Sequence, residues 1–155
     1  LMGGYIAGSA EAVDAIRSCA SGFIFTTAMP PAILAGAHAS VEHLKTSQTE
    51  RQAMHANAQR LKAGLEACGL PFLHGDSHIV PLIVGEAECC RAVTNQLLEN
   101  YGIYVQPINY PTVPEGTERL RLTATAAHSS DQIDYLCNCL AELYQNHALF
   151  DHAAA

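Results

Sequence analysis

The chain has 155 residues, 49% of them hydrophobic and only 15% charged, a composition that supports one packed domain or a domain plus part of another and excludes a disordered segment. Eight Lys and Arg against fifteen Asp and Glu give a net charge of −7, too few cations for the basic face that nucleic-acid binding requires. No apolar run reaches the roughly 18 residues of a membrane span, and Leu1-Met2-Gly3-Gly4-Tyr5 lacks the basic region and cleavage site of a signal peptide.

Gly4–Ser9 is a short apolar run ending in a good N-cap residue, and Val13, Ile16 and Ala20 then recur at helical spacing. Phe23-Ile24-Phe25-Thr26-Thr27 has the aromatic and β-branched composition of a strand. Pro30-Pro31 opens a helix, because proline is tolerated where the first-turn amides are unpaired anyway, and that helix runs to about Lys45. Ser47-Gln48-Thr49-Glu50 is a capping-box pattern and marks a new start or a kink. The continuation reaches Cys68 and stops at Gly69, with Pro71 just beyond.

The second half changes rhythm. His78–Val84 reads as a strand, Glu86–Asn100 as a helix and Ile103–Pro107 as a strand. Asn109–Gly116, with two prolines and a glycine, is a loop; Arg119–Thr123 alternates charged and apolar residues as a strand does, and Ser130–His147 closes as a helix. This order predicts an α/β lobe whose small sheet is covered on one side by helices. The six cysteines, Cys19, Cys68, Cys89, Cys90, Cys137 and Cys139, fit neither a CxxC pattern nor a small secreted scaffold, so reduced thiols and a reducing compartment are expected.

Four features could carry chemistry. His74 and His78 with Asp76 between them have helical metal-ligand spacing, but Gly75 and Pro81 make the segment a turn entering a strand, and no metal site is expected. Arg119 and Arg121 alternate on a strand and so share a face, which suits either a carboxylate-binding pair or a solvated edge. Thr26 and Thr27 precede a helix start and suit either a phosphate or plain capping. The Pro-rich loop after Pro107 carries Asn109, Tyr110 and Thr112 and reads as an active-site lid or a rigid connector.

Several of these runs, in this order, resemble the α-oxoamine synthases, fold-type I pyridoxal-phosphate enzymes of the aminotransferase class I/II fold that join an amino acid to an acyl-CoA with loss of carbon dioxide. Gly3-Gly4-Tyr5-Ile6-Ala7 resembles the stretch that shortly follows the family's Schiff-base lysine, and Phe23 to Pro31 resembles the segment that reaches the cofactor phosphate of the neighbouring subunit. Ser77-His78-Ile79-Val80-Pro81 and Tyr104 to Pro114 resemble the 5-aminolevulinate synthase branch in particular, and the likeness runs from Gly3 to about Leu143. The resemblance implies the end of a large cofactor-binding domain at 1–29, a long connecting helical segment at 30–69, a C-terminal α/β small domain at 70–148 and a tail at 149–155.

It implies pyridoxal 5'-phosphate as cofactor, a homodimer, and glycine plus succinyl-CoA as substrates giving 5-aminolevulinate, CoA and carbon dioxide. That is the entry step of tetrapyrrole and heme synthesis, placed in a bacterial cytoplasm or a mitochondrial matrix. By the same resemblance Arg121 grips the amino-acid carboxylate, Thr26 and Thr27 hold the cofactor phosphate, and Asn109, Tyr110 and Thr112 belong to the loop that closes over substrate. The Schiff-base lysine is expected before Leu1; Lys45 and Lys62 fall on an exposed helix face, and no catalytic residue is expected within the chain, which alone should be inactive. Leu122 to His128 is closer to 8-amino-7-oxononanoate synthase or 2-amino-3-ketobutyrate CoA ligase, which keeps another acyl donor open. A non-catalytic association lobe is the reading from a different class.

Overall fold

A computed structural model describes residues 4–146. Gly3, the end of the last helix at His147 and the tail at 149–155 lie outside the described residues. The chain divides into two units with the break between Gln48 and Thr49.

The first unit is helical. Helix α1 (Ala10–Cys19) starts where Ser9 Oγ accepts the Ala12 amide at 3.3 Å, with Glu11 in its first turn and Arg17 in its last, charges placed to oppose the helix dipole. It is followed by the single turn α2 (Ser21–Ile24) and by α3 (Pro31–Thr46), whose N-cap is Pro30 and whose first residue is Pro31. The strand expected over Phe23–Thr27 is not formed. Phe23 and Ile24 donate to Ala20 O and Phe25 donates to Ser21 O, so the segment satisfies its amides locally. Strand composition is effective only where a neighbouring strand supplies a ladder, and the only sheet among the described residues is in the other unit. None of the described residues of this unit is buried; Phe25 is 86% exposed, and Phe23 and Met29 are exposed as well.

The second unit holds the core. Helix α4 (Thr49–Ala67) ends at Gly69, whose φ of +68° closes the helix so that Leu70 N returns to Leu65 O. Strand β1 (Ile79–Ile83), helix α5 (Ala87–Tyr101), strand β2 (Gln106–Ile108), strand β3 (Arg119–Thr123) and helix α6 (Ser130–Asn146) follow. The sheet is antiparallel throughout, ordered β1-β3-β2, with Val80 opposite Leu122, Leu82 opposite Leu120 and Gln106 opposite Arg121. Because side chains alternate along a strand, Val80, Leu82, Leu120 and Leu122 fall on one face and are all buried. They pack into one cluster with Leu65 of α4, Val93 and Leu97 of α5 and Leu140 of α6, which gives the expected α/β lobe with helices on one side of a small sheet.

One boundary moved for a physical reason, and one pairing was not expected. The strand expected at Ile103–Pro107 starts three residues later, because Gly102 adopts φ +68° and Ile103 N is spent on Leu97 O in the cap of α5. Phe72 pairs with Leu82 as an isolated bridge, with Leu73 N donating to Pro81 O and Ile83 N to Pro71 O, so the outer edge of β1 is covered. Lys62 does not lie free on a helix face: its Nζ donates to Gly75 O at 2.5 Å and Ser77 O at 2.9 Å, tying the 75–77 turn to α4.

Candidate substrate-binding site

Among the described residues, the helices of this unit pack on one face of the sheet, and its second face carries the polar groups. Arg121 stands at the middle of the central strand, opposite Pro81 on one side and Gln106 on the other, exposed, its guanidinium making no hydrogen bond or ion pair among the described residues. Arg119, two residues away on the same face, is half-buried and held: its Nε donates to Thr117 O at 2.8 Å. Strand alternation puts both guanidiniums on one side, and the sheet then separates them into a tethered one and a free one. A free, planar guanidinium on a rigid strand is suited to bidentate capture of a carboxylate.

The surroundings of Arg121 are ordered by short links. Tyr104 Oη donates to Gln106 Oε1 at 2.7 Å, and Gln106 Nε2 donates to Pro107 O at 3.2 Å. Asn57 of α4 donates through Nδ2 to Thr125 O at 2.9 Å and to His128 O at 2.8 Å, while His128 Nδ1 accepts the Thr125 amide at 3.2 Å. Where β3 runs out toward α6, a cleft of about 430 Å³ opens, lined by Arg121 and Thr123 on the strand, Tyr104 and His128 at its rim, and Leu122 and Leu136 in its floor. Sequence reasoning missed Tyr104, Gln106 and His128 as neighbours of Arg121; the β2–β3 register places Gln106 and Tyr104 there, and the turn held by Asn57 brings His128 to the same cleft.

The loop at 109–116 is held mainly by its own bonds. Thr112 N donates to Asn109 O at 2.9 Å, Thr117 Oγ1 donates to Pro114 O at 2.7 Å, and the Tyr110–Pro111 peptide is cis. Tyr110 is 64% exposed. Asn109 Oδ1 at the loop's start and Glu118 Oε2 just past its end are both buried without a hydrogen-bond partner among the described residues. Glu118 also lies near Cys90, whose thiol is pushed up to about 12, first by burial and then by this carboxylate.

Thr26 and Thr27 belong to the first unit, just ahead of α3. Thr26 N donates to Phe23 O at 3.4 Å, and both side chains are exposed. The histidine pair resolves into packing: the His74 ring lies against Phe72, centroids 4.5 Å apart. Among the described residues no group of three His, Cys, Asp or Glu is placed to hold a metal ion. All six cysteines are free, with Cys19 exposed and Cys89, Cys90, Cys137 and Cys139 buried.

The sequence-family model for aminotransferase class I and II matches residues 1–140. The chain belongs to that family. Within it, the chain is 56% identical over 149 residues to the 5-aminolevulinate synthase of Rhizobium meliloti, covering 96% of this chain and 37% of that protein. It is 46% identical over 144 residues to the mitochondrial 5-aminolevulinate synthase of Schizosaccharomyces pombe, covering 92% of this chain and 26% of the relative. The chain therefore spans about a quarter to a third of the length of the curated relatives it matches. Among solved structures it superposes on a serine palmitoyltransferase from S. paucimobilis with PLP and myriocin bound, with a TM-score of 0.76 and 29% identity over 85% of this chain and 33% of that one. An 8-amino-7-oxononanoate synthase from Francisella tularensis shares the fold, with a TM-score of 0.71 at 22% identity.

Proposed function

We propose that this chain is the substrate-gripping part of a 5-aminolevulinate synthase, a pyridoxal-phosphate-dependent homodimer that condenses glycine with succinyl-CoA to 5-aminolevulinate, CoA and carbon dioxide. The observation that carries the reading is Arg121, an untethered guanidinium on the central strand of a sheet whose other face is locked in the core. Its backbone is fixed by ladders on both sides, so it meets a carboxylate with little left to order. The same two-pronged contact selects a planar carboxylate over a single-point anion. The identity to 5-aminolevulinate synthases supports glycine as the amino acid and succinyl-CoA as the acyl donor.

The residues present fit the cofactor's phosphate end through their hydroxyls: the exposed side chains of Thr26 and Thr27 stand ahead of α3 and can donate to an anion, whereas Pro30 and Pro31 carry no amide hydrogen and the Ile33 and Leu34 amides are bonded to Pro30 O. Pyridoxal phosphate, when bound, supplies an electron sink that stabilises negative charge on the glycine α-carbon. The chain's own residues do the rest of what this part contributes. Arg121 holds and orients the glycine carboxylate; Thr26 and Thr27 donate to phosphate, in the partner subunit's site. Asn109, Tyr110 and Thr112 belong to a loop that closes over substrate and excludes water, a step that often limits turnover. The compartment that goes with this reading is a bacterial cytoplasm or a mitochondrial matrix.

In the full-length enzyme Arg121→Leu should raise the glycine KM while leaving cofactor affinity nearly unchanged. Loss of a charge-assisted contact costs about 1.5–3 kcal/mol, roughly tenfold to a hundredfold and more. Arg119→Leu, whose guanidinium is already occupied by Thr117 O, should move it less. Steady-state kinetics decide the matter, and a rise for Arg119→Leu without one for Arg121→Leu overturns the assignment. Assay with a series of acyl-CoAs separates this reading from the oxononanoate-synthase and ketobutyrate-ligase alternatives.

A further inference from the structure

The cleft beside Arg121 has a feature that carboxylate binding does not use. Along β3 the even-numbered residues are bonded to β1: Ala124 N donates to His78 O and Glu118 O accepts from Val84 N. In an antiparallel ladder the peptide groups of alternate residues face opposite neighbours. The N–H and C=O of Thr123 must therefore face the β2 side. Pairing there ends at Gln106 opposite Arg121, and Tyr104, next in register opposite Thr123, is outside the strand. One donor and one acceptor of a β-ladder are left facing the 430 Å³ cleft, two residues from an unoccupied guanidinium.

We infer that this cleft is a binding site for an N-acylated amino acid, or the chemically equivalent C-terminal residue of a peptide. The three parts of such a ligand match three parts of the site. Its carboxylate pairs with Arg121. Its amide N–H donates to Thr123 O and a carboxylate oxygen accepts from Thr123 N, the two groups of a terminal residue that face one neighbour in an antiparallel ladder. Its acyl chain lies along the apolar lining of the cleft, Leu61, Leu122 and Leu136, which Tyr104, 73% exposed, also lines. The volume lies in the range of small-molecule sites that combine an apolar floor with a few placed polar groups. Free glycine satisfies only the first part. The inference rests on Arg121 being a carboxylate ligand, as proposed above, and adds an amide-and-acyl subsite that the condensation does not need.

The test is a nuclear magnetic resonance titration of the 155-residue chain with glycine and with N-acetyl-, N-butanoyl- and N-hexanoylglycine. The expected result is saturable movement of the Thr123 and Tyr104 amides with the acylated series alone. Affinity should rise about threefold for each methylene that enters the floor. Leu136→Trp, which fills the floor, should abolish the dependence on chain length while leaving the acetyl compound bound. Should that variant not fold, Tyr104→Ala at its exposed position should cut the hexanoyl affinity at least about fivefold by opening one wall. Affinity that is flat along the series, or Thr123 and Tyr104 amides that stay still at saturation, overturns the inference. So does a Thr123 amide fully protected from exchange in the free chain, because Tyr104 would then already close the ladder. Glycine separates the two readings. Movement of the Arg121 side-chain signal with glycine but no acylglycine binding leaves the carboxylate role standing and removes the cleft; acylglycine binding without any response to glycine keeps the cleft and removes the amino-acid role.

Discussion

Helices α3 and α5 are nearly equal in length, 16 and 15 residues, yet α3 buries none of its residues while α5 buries Cys89, Cys90, Val93, Thr94 and Leu97. The contrast extends to the units that contain them. In the first, aromatic and aliphatic side chains such as Phe23, Phe25 and Leu34 are exposed; in the second, a single cluster joins three helices to one face of a sheet. Helix formation in water is cooperative but marginal at this length, and tertiary packing of one face is what secures it. The two units thus share local signals and differ in what those signals are packed against.

The largest test of the comparison is hydrogen exchange on the chain. Amides of α3 should exchange through local opening and those of α5 and β3 only through global unfolding, a difference on the order of a hundredfold or more. Uniform protection from Ala10 to Asn146 would break the comparison. Next in size is a pair of truncations. Leu65→Ala, at a position with no exposure, should cost about 2–5 kcal/mol by denaturant unfolding. Phe25→Ala should stay within about 0.5 kcal/mol in this chain, as substitutions away from a packed feature do.

The thiols sharpen the comparison through pH. Burial pushes Cys89 and Cys137 up to about 11 and Cys90 to about 12. An unfolded thiol titrates near about 8.5, so the folded state keeps its protons when the unfolded chain has lost them. The stabilisation is complete below that value and is lost progressively from about pH 8.5 toward 11–12. The second unit should therefore lose thermal stability with rising alkali, and the slope should flatten in Cys90→Ala. At neutral pH an alkylating reagent should label exposed Cys19 first, and early modification of Cys137 would contradict the burial.

The smallest effect is expected at Arg60 and Asp134. They form a two-bond fork between α4 and α6, Nε to Oδ1 at 2.7 Å, which holds the Asp134 carboxyl below the usual range through the hydrogen bond from Arg60. A depressed carboxylate contributes above its unfolded value and loses that contribution as pH falls through the folded one. Because the pair is solvated, Arg60→Ala should lower the melting temperature only slightly, and less in high salt. A salt-independent loss would mean that the arginine's stem packs rather than pairs.

The sequence by itself determined the elements whose signals are local. The Ser9 cap, the Pro30-Pro31 start, the Gly69 stop and the alternation of β3 are each decided within a few residues, and the structure keeps them. Alternation also sufficed to put Arg119 and Arg121 on one face. The difference between them is the Thr117 carbonyl, two residues from Arg119, together with the register that sets Gln106 against Arg121, and only the register is tertiary. Tertiary structure also decided that Phe23–Thr27 is no strand, since a strand is completed by a partner and the described residues of that unit hold none. The cleft at Thr123 exists for the same reason: a ladder is made by two segments, and the cap of α5 delays β2 until Gln106, leaving the end of β3 with groups that no local rule could have shown to be unpaired.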